Sequence, residues 1–314
     1  MSYKDSDILK RLGNGDSIES VMRSMNMDKT QFHLWWETQT SGRNPQTSGK
    51  VKGAVSEDAN IFRDANGIPH IVASSDHDLF WSYGYAMAQD RLWQLDYYRK
   101  RGMGKLSEIL GPDALEYDRL VRTIGLNHIA IAQSKTLPVS TMHLLEAFSS
   151  GINAVMEDKS TRPPIEFELL DYRPEPWSPL DSIAILTEFK WYLTGRMPVI
   201  YFPEIAKRYL SNQDLYKAFL TPEAGNELIV PEEHYSETTM PPESVGEVVS
   251  SPDEGVGSNN WVANAKLSVS GAPILASDPH IAFGSVSCWY QAHLSGESFD
   301  CAGTGYVGVP GFWF

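Results

Sequence analysis

Five residues, Gly257-Ser258-Asn259-Asn260-Trp261, hold the most concentrated chemical potential in the chain. An alkyl hydroxyl is a weak nucleophile at neutral pH and needs a base beside it. Cutting the peptide bond before Ser258 would supply that base within the same residue. The freed α-amine titrates near ~7.7–8.0 and accepts a proton at physiological pH. One residue then carries both nucleophile and base. The competing reading is a polar turn, because Gly, Ser and Asn dominate turns for local reasons. His280 in Asp278-Pro279-His280 reads, taken alone, as a histidine that satisfies backbone groups after a strand. Gln89-Asp90-Arg91 interrupts an apolar helical stripe and reads as a solvated or salt-bridged patch.

Other chemistries find little support. The 8 histidines are scattered without a His-Glu-x-x-His arrangement, which argues against a zinc hydrolase. Cys288 and Cys301, the 2 cysteines, make neither a disulfide framework nor a zinc pattern; they can pair across neighbouring strands or stay as free buried thiols. A net charge of −14 argues against nucleic acid as the main partner. No apolar run is long enough to span a membrane. With 42% hydrophobic and 21% charged residues, the 314-residue chain has the composition of a soluble globular protein of one large or two ordinary domains.

The elements that must position these residues fall into five stretches. Residues 1–42 read as a small helical module with apolar stripes at Ile8, Leu9 and Leu12 and at Ile18, Val21, Met22 and Met25. Asp28 caps a third segment carrying Phe32, Trp35 and Trp36. The first 50 residues contain 7 Lys and Arg against 6 acids, so no basic face stands out and a packing or docking module is expected. Residues 43–59 are a linker. In residues 60–221, Ile61 to Val72 reads as two short strands about Asn66-Gly67, followed by a helix capped by Ser75 or Asp76. Gly84, Ala86 and Ala88 mark where another element approaches that helix closely, and Gly102 and Gly104 punctuate its end. Helices are also expected from Pro138 to Asp158, after the cap Ser178-Pro179 with Asp181, from Glu204 to Leu210 and from Asp214 to Leu220.

Residues 222–257 hold 9 acids, 5 prolines and no Lys or Arg, a composition that cannot bury enough to fold alone. After Ser258 the period becomes alternating. Strands are expected at residues 260–263, 272–276, 289–294 and 299–304, with Gly303 to Gly308 supplying turns. The closing run Gly311-Phe312-Trp313-Phe314 is apolar, as in a chain that stops inside its sheet.

Taken in order, these blocks resemble the penicillin acylase family of N-terminal-nucleophile amidohydrolases. The resemblance is carried by Arg63-Asp64-x-x-Gly67-x-Pro69-His70-Ile71, Gly84-Tyr85-Ala86-x-Ala88-Gln89-Asp90-Arg91-Leu92, Gly104-Lys105-Leu106-x-Glu108 and Pro174-x-Pro176-Trp177. Gly257-Ser258-Asn259-Asn260-Trp261, Asp278-Pro279-His280 and Val309-Pro310-Gly311 complete it. It implies an α+β fold, the start of an αββα four-layer sandwich. It also implies a C-terminally truncated precursor that cuts its own Gly257–Ser258 bond and releases the acidic spacer, leaving the two chains associated.

The activity implied is hydrolysis of non-peptide amides of acylated small molecules such as β-lactams or acyl-homoserine lactones, with Ser258 as nucleophile, His280 assisting and Tyr290 in the substrate pocket. Glu204 matches a glutamate that helps hold a structural calcium; no cofactor is required for the chemistry. The oxyanion-hole donors of the family fall after Phe314, so this chain alone is expected to be inactive. The family is commonly exported to the periplasm, whereas this N-terminus shows no secretory signal and reads as cytoplasmic. A non-catalytic relative and a binding module built on the N-terminal helices are the alternatives.

Overall fold

Caps and glycines fix most of the element boundaries. The protein is described here by a computed structural model covering residues 5–194, 197–210, 212–220, 258–281 and 287–313. Helix α1 spans Asp5–Gly13, α2 Ile18–Met25 behind the cap Ser17, and α3 Lys29–Ser41 behind Asp28, which forms a capping box with Gln31. Strands β1 (Asn60–Arg63) and β2 (Pro69–Val72) form a hairpin. Its turn is held by Asp64 Oδ1, which accepts from the Asn66 and Ile68 amides at 2.8 and 2.9 Å.

Helix α4 runs Asp76–Met103 from the cap Ser75 to Gly104, whose φ of 65° is left-handed and ends the helix. There follow α5 (Ser107–Leu110), α6 (Leu115–Ile124), α7 (Leu126–Ser134), α8 (Val139–Glu157), α9 (Ile165–Leu169), α10 (Pro179–Thr194), α11 (Met197–Tyr209) and α12 (Gln213–Leu220). The remaining strands are β3 (Ser258–Ala263), β4 (Ile274–Pro279), β5 (Trp289–Ser295) and β6 (Asp300–Tyr306). The result is a mixed helix–sheet fold. Gly257 and the acidic stretch 222–257 lie outside the described residues.

Two differences from the sequence reading have physical causes. Helices α6, α7 and α9 were not anticipated: α6, though amphipathic, begins without a side-chain cap, α7 spreads Ile129 and Ile131 onto exposed positions, and α9 is a single short turn. The strand expected to end at Thr304 continues through Gly305 to Tyr306, because ladder pairing with β5 overrides the turn tendency of the glycines.

The chain divides into two units, residues 1–189 with 283–314, and residues 190–282. In the first, the strand order is β1-β2-β5-β6, antiparallel except for the parallel pair β2–β5. Helix α4 packs on the sheet and α8 packs on α4. Two glycines make that helix contact close: a Cβ on Gly84 would strike the Phe148 carbonyl, and one on Gly151 would strike the Trp81 carbonyl. Ile71, Leu79, Tyr83, Phe148, Ile152 and Leu294 are all at most 3% exposed. Each such side chain contributes about 1.5–3 kcal/mol by leaving water.

The Pro174-x-Pro176-Trp177 connector has carbonyls that no ladder satisfies. Arg99, 5% exposed, donates to the Glu175 and Pro176 oxygens at 2.7 and 3.2 Å while pairing with the fully buried Asp96 at 2.6 Å. The N-terminal helices dock on α9, with Lys10 to Asp171 at 2.6 Å and Arg43 to Glu168 at 3.0 Å. In the second unit, β3 and β4 form a two-stranded antiparallel ladder.

Candidate active site

Ser258 is the first residue of β3 and is exposed. Six cross-strand pairs fix its place, running from Ser258 opposite Pro279 to Ala263 opposite Ile274. Because Pro279 faces Ser258, His280 is the next residue beyond that pair. The ladder therefore brings Ser258 and His280, far apart in sequence, to one end of one hairpin. His280 is held by Asp278: Nε2 lies 2.8 Å from Oδ2. A carboxylate on one ring nitrogen fixes the tautomer and leaves Nδ1 as the nitrogen facing other partners. With the 257–258 bond intact, the Ser258 nitrogen is an amide and has no basicity.

Asp278 was within reach of sequence reasoning and received no role there. Two residues apart on an extended strand, side chains share a face, so a carboxylate and an imidazole flanking Pro279 meet by geometry alone.

Tyr290 lies in the other unit, on β5, 5% exposed. Its hydroxyl donates to Asp90 Oδ2 at 2.6 Å, and Arg63 Nη1 donates to the same oxygen at 2.8 Å. Arg63 Nη2 also reaches Gln89 Oε1 at 3.3 Å. The Gln89-Asp90-Arg91 interruption is thus a salt-bridged patch joining β1, α4 and β5. Helix α4 breaks its own pattern there, with Arg91 at φ −138° and ψ 21°. Burial, then the charge of Asp90, raise the Tyr290 phenol well above its ordinary value, so it stays a donor. Burial likewise raises Tyr83, at the centre of the same core.

Glu204 stands on α11, half-buried. Calcium takes six to eight oxygen ligands. Among the described residues no three His, Cys, Asp or Glu side chains gather as a metal cage. Cys288 and Cys301 are free thiols, Cys288 half-buried and Cys301 exposed. Among the described residues no helix is long and apolar enough to cross a membrane.

A family model described as penicillin amidase matches residues 58–314. The chain belongs to the penicillin amidase family. Among curated members, it is 32% identical over 281 residues to the penicillin acylase 2 proenzyme of Pseudomonas sp. (strain SE83), covering 85% of this chain and 36% of that protein. It is 29% identical over 293 residues to the acyl-homoserine lactone acylase QuiP of Pseudomonas aeruginosa, covering 88% and 34%. A solved structure of thermostable penicillin G acylase from Alcaligenes faecalis aligns at 25% identity and TM-score 0.44, over 60% of this chain and 98% of that one. This penicillin amidase family chain spans about a third of the length of these two curated relatives. The matched region includes both β3–β4 and the Arg63–Asp90–Tyr290 cluster; the N-terminal helices precede it.

Proposed function

We propose that this chain is the first part of a self-cleaving amide hydrolase whose nucleophile is Ser258. Its substrates are acylated small molecules of the β-lactam or acyl-homoserine lactone kind, the two classes in the relatives' names. The observation that carries the reading is the register of β3 and β4, which sets His280, held by Asp278, beside the end where Ser258 begins. The proposed fold of the complete protein is the αββα sandwich of N-terminal-nucleophile hydrolases.

In the first stage, the Ser258 hydroxyl attacks the carbonyl of Gly257, and the amide bond breaks by acyl transfer to oxygen; water then releases Ser258 with a free α-amine. In turnover, that amine takes the hydroxyl proton as Oγ attacks the substrate amide, and the leaving amine carries a proton away. Water hydrolyses the acyl-enzyme and regenerates the hydroxyl. His280 orients the amine. Donors for the tetrahedral oxyanion come from outside this chain, and each typically contributes about 10²–10³ in rate. Glu204 is proposed as one calcium ligand only in combination with residues not described here.

The cleaved chains should stay together, for a physical reason. Strand β2 precedes residue 257 and β5 follows it, yet the two pair directly, His70 opposite His293 through Val72 opposite Ser295. Around that pair, Gln94 Nε2 donates to the Ser287 carbonyl at 2.9 Å and Tyr290 to Asp90. Separating the chains would open one sheet and one core.

Intact mass and N-terminal sequencing of the expressed protein test the proposal. A chain beginning Ser258-Asn259-Asn260-Trp261 is expected, and Ser258→Ala should abolish both cleavage and amide hydrolysis. A folded, uncut protein, or full activity in Ser258→Ala, would leave a non-catalytic relative or another nucleophile.

A further inference from the structure

Apart from the candidate active site, two histidines meet on the four-stranded sheet. His70 on β2 and His293 on β5 are cross-strand partners in the parallel pair. Their Nδ1 atoms lie 3.1 Å apart, with the rings 79° from coplanar. The outer nitrogen of His293, Nε2, meets Asp300 Oδ1 at 3.2 Å across the β5–β6 pair. Among the described residues, Phe62 and Val72 on the same face are 59% and 42% exposed.

We propose that the His70–His293 pair binds a divalent transition-metal ion, zinc or a close relative. Imidazole nitrogens suit zinc, copper and nickel. Two nitrogens at 2.0–2.1 Å from one ion stand about 3.3–3.4 Å apart at a tetrahedral angle and about 2.9 Å apart at a right angle. The observed separation lies between these values, so the ion needs only a small ring movement. Metal-bound histidines characteristically give their second nitrogen to a carboxylate, and Asp300 is in that position. Two protein ligands leave the remaining positions to water or a small ligand, an open site rather than a closed structural cage. The alternative occupant is a single proton shared between the rings.

The site also spans the sequence. His70 lies before residue 257 and His293 after it. If the bond there is cut, as in the function proposed above, the ion bridges two chains; binding itself does not depend on that cut.

Titration calorimetry of the metal-free protein with Zn²⁺ or Ni²⁺, and visible absorption with Co²⁺, should give one site per chain. His70→Ala and His293→Ala should each weaken it at least tenfold, and Asp300→Asn about tenfold. Circular dichroism of each variant checks folding. On the unaltered protein, Zn²⁺ should protect His70 and His293 from diethylpyrocarbonate, read by mass spectrometry. The proposal is overturned if the protein binds no more tightly than the His70→Ala/His293→Ala variant. It is equally overturned if both histidines react at the same rate with and without zinc. Uncut protein that still binds zinc would sink the cleavage proposal and leave this one standing.

Discussion

Replacing Tyr290 with Phe removes one hydroxyl and leaves the ring in place. That hydroxyl donates to Asp90 at 2.6 Å from a side chain 5% exposed. Hydrogen bonds to charged groups contribute about 1.5–3 kcal/mol. Asp90 keeps Arg63 at 2.8 Å, so the loss should fall near the lower end, about 1.5 kcal/mol. Asp90→Ala is harsher. It leaves Arg63, whose side chain is 15% exposed, without its carboxylate, and strands the Tyr290 hydroxyl in the core; with the Asp90 side chain itself 24% exposed, the cost should be about 3 kcal/mol, the low end for a broken ion pair. Since that cost already includes the lost Tyr290 bond, adding Tyr290→Phe to Asp90→Ala should be close to neutral. The coupling energy is then about 1.5 kcal/mol or more. Guanidinium denaturation in the Ser258→Ala background, which stays uncut under the proposed cleavage, measures all four corners of the cycle. Costs that simply add, to within about 0.5 kcal/mol, would show that hydroxyl and carboxylate do not act on each other. The clamp would then be wrong.

Three further outcomes are expected. Gly84→Ala places a Cβ on the Phe148 carbonyl and should cost about 1–3 kcal/mol, seen as a lowered denaturation midpoint, whereas Gly111, with open space around it but φ of 77°, should show only backbone strain. Burial raises the phenols of Tyr83, Tyr117, Tyr172, Tyr290 and Tyr306 above the unfolded value near ~10. Their contribution is therefore complete below about pH 10 and lost as pH rises beyond it; denaturation midpoints that do not fall between about pH 9 and 11 refute this. At Asp78, burial opposes ionisation, but donors from Ser56, His77 and the Glu57 amide outweigh it and hold the carboxyl well below its usual range. Its stabilisation is present above about pH 4 and lost as pH falls, so Asp78→Asn should be less stable at pH 7 and show a flatter acid limb.

Much of the frame was legible because local rules govern it. Ser75, Asp28 and Gly104 act as caps where their side chains or backbone freedom require, and the Asn66-Gly67 turn sits between the strands it joins. Gly84, flanked by Ala86 and Ala88, was readable as a point of close approach; its counterpart Gly151 was not. The site was legible only in part. Ser258 and His280 declare themselves by residue type, but their convergence depends on a ladder register that no local pattern states. Asp90 looked like a break in an apolar stripe until β1 and β5 brought Arg63 and Tyr290 to it. The kink at Arg91 has no proline or glycine of its own to announce it.

The paired glycines of α4 and α8 have one more effect. Gly84 sits over residue 148 and Gly151 over residue 81, an antiparallel match in which each helix gives up a side chain so that the other's backbone can enter. Sliding either helix by one turn would set a Cβ against a carbonyl at both places at once. The contact works as a vernier, with one allowed setting. Amides at its centre should be among the last to exchange with solvent, since no partial opening releases one notch without the other.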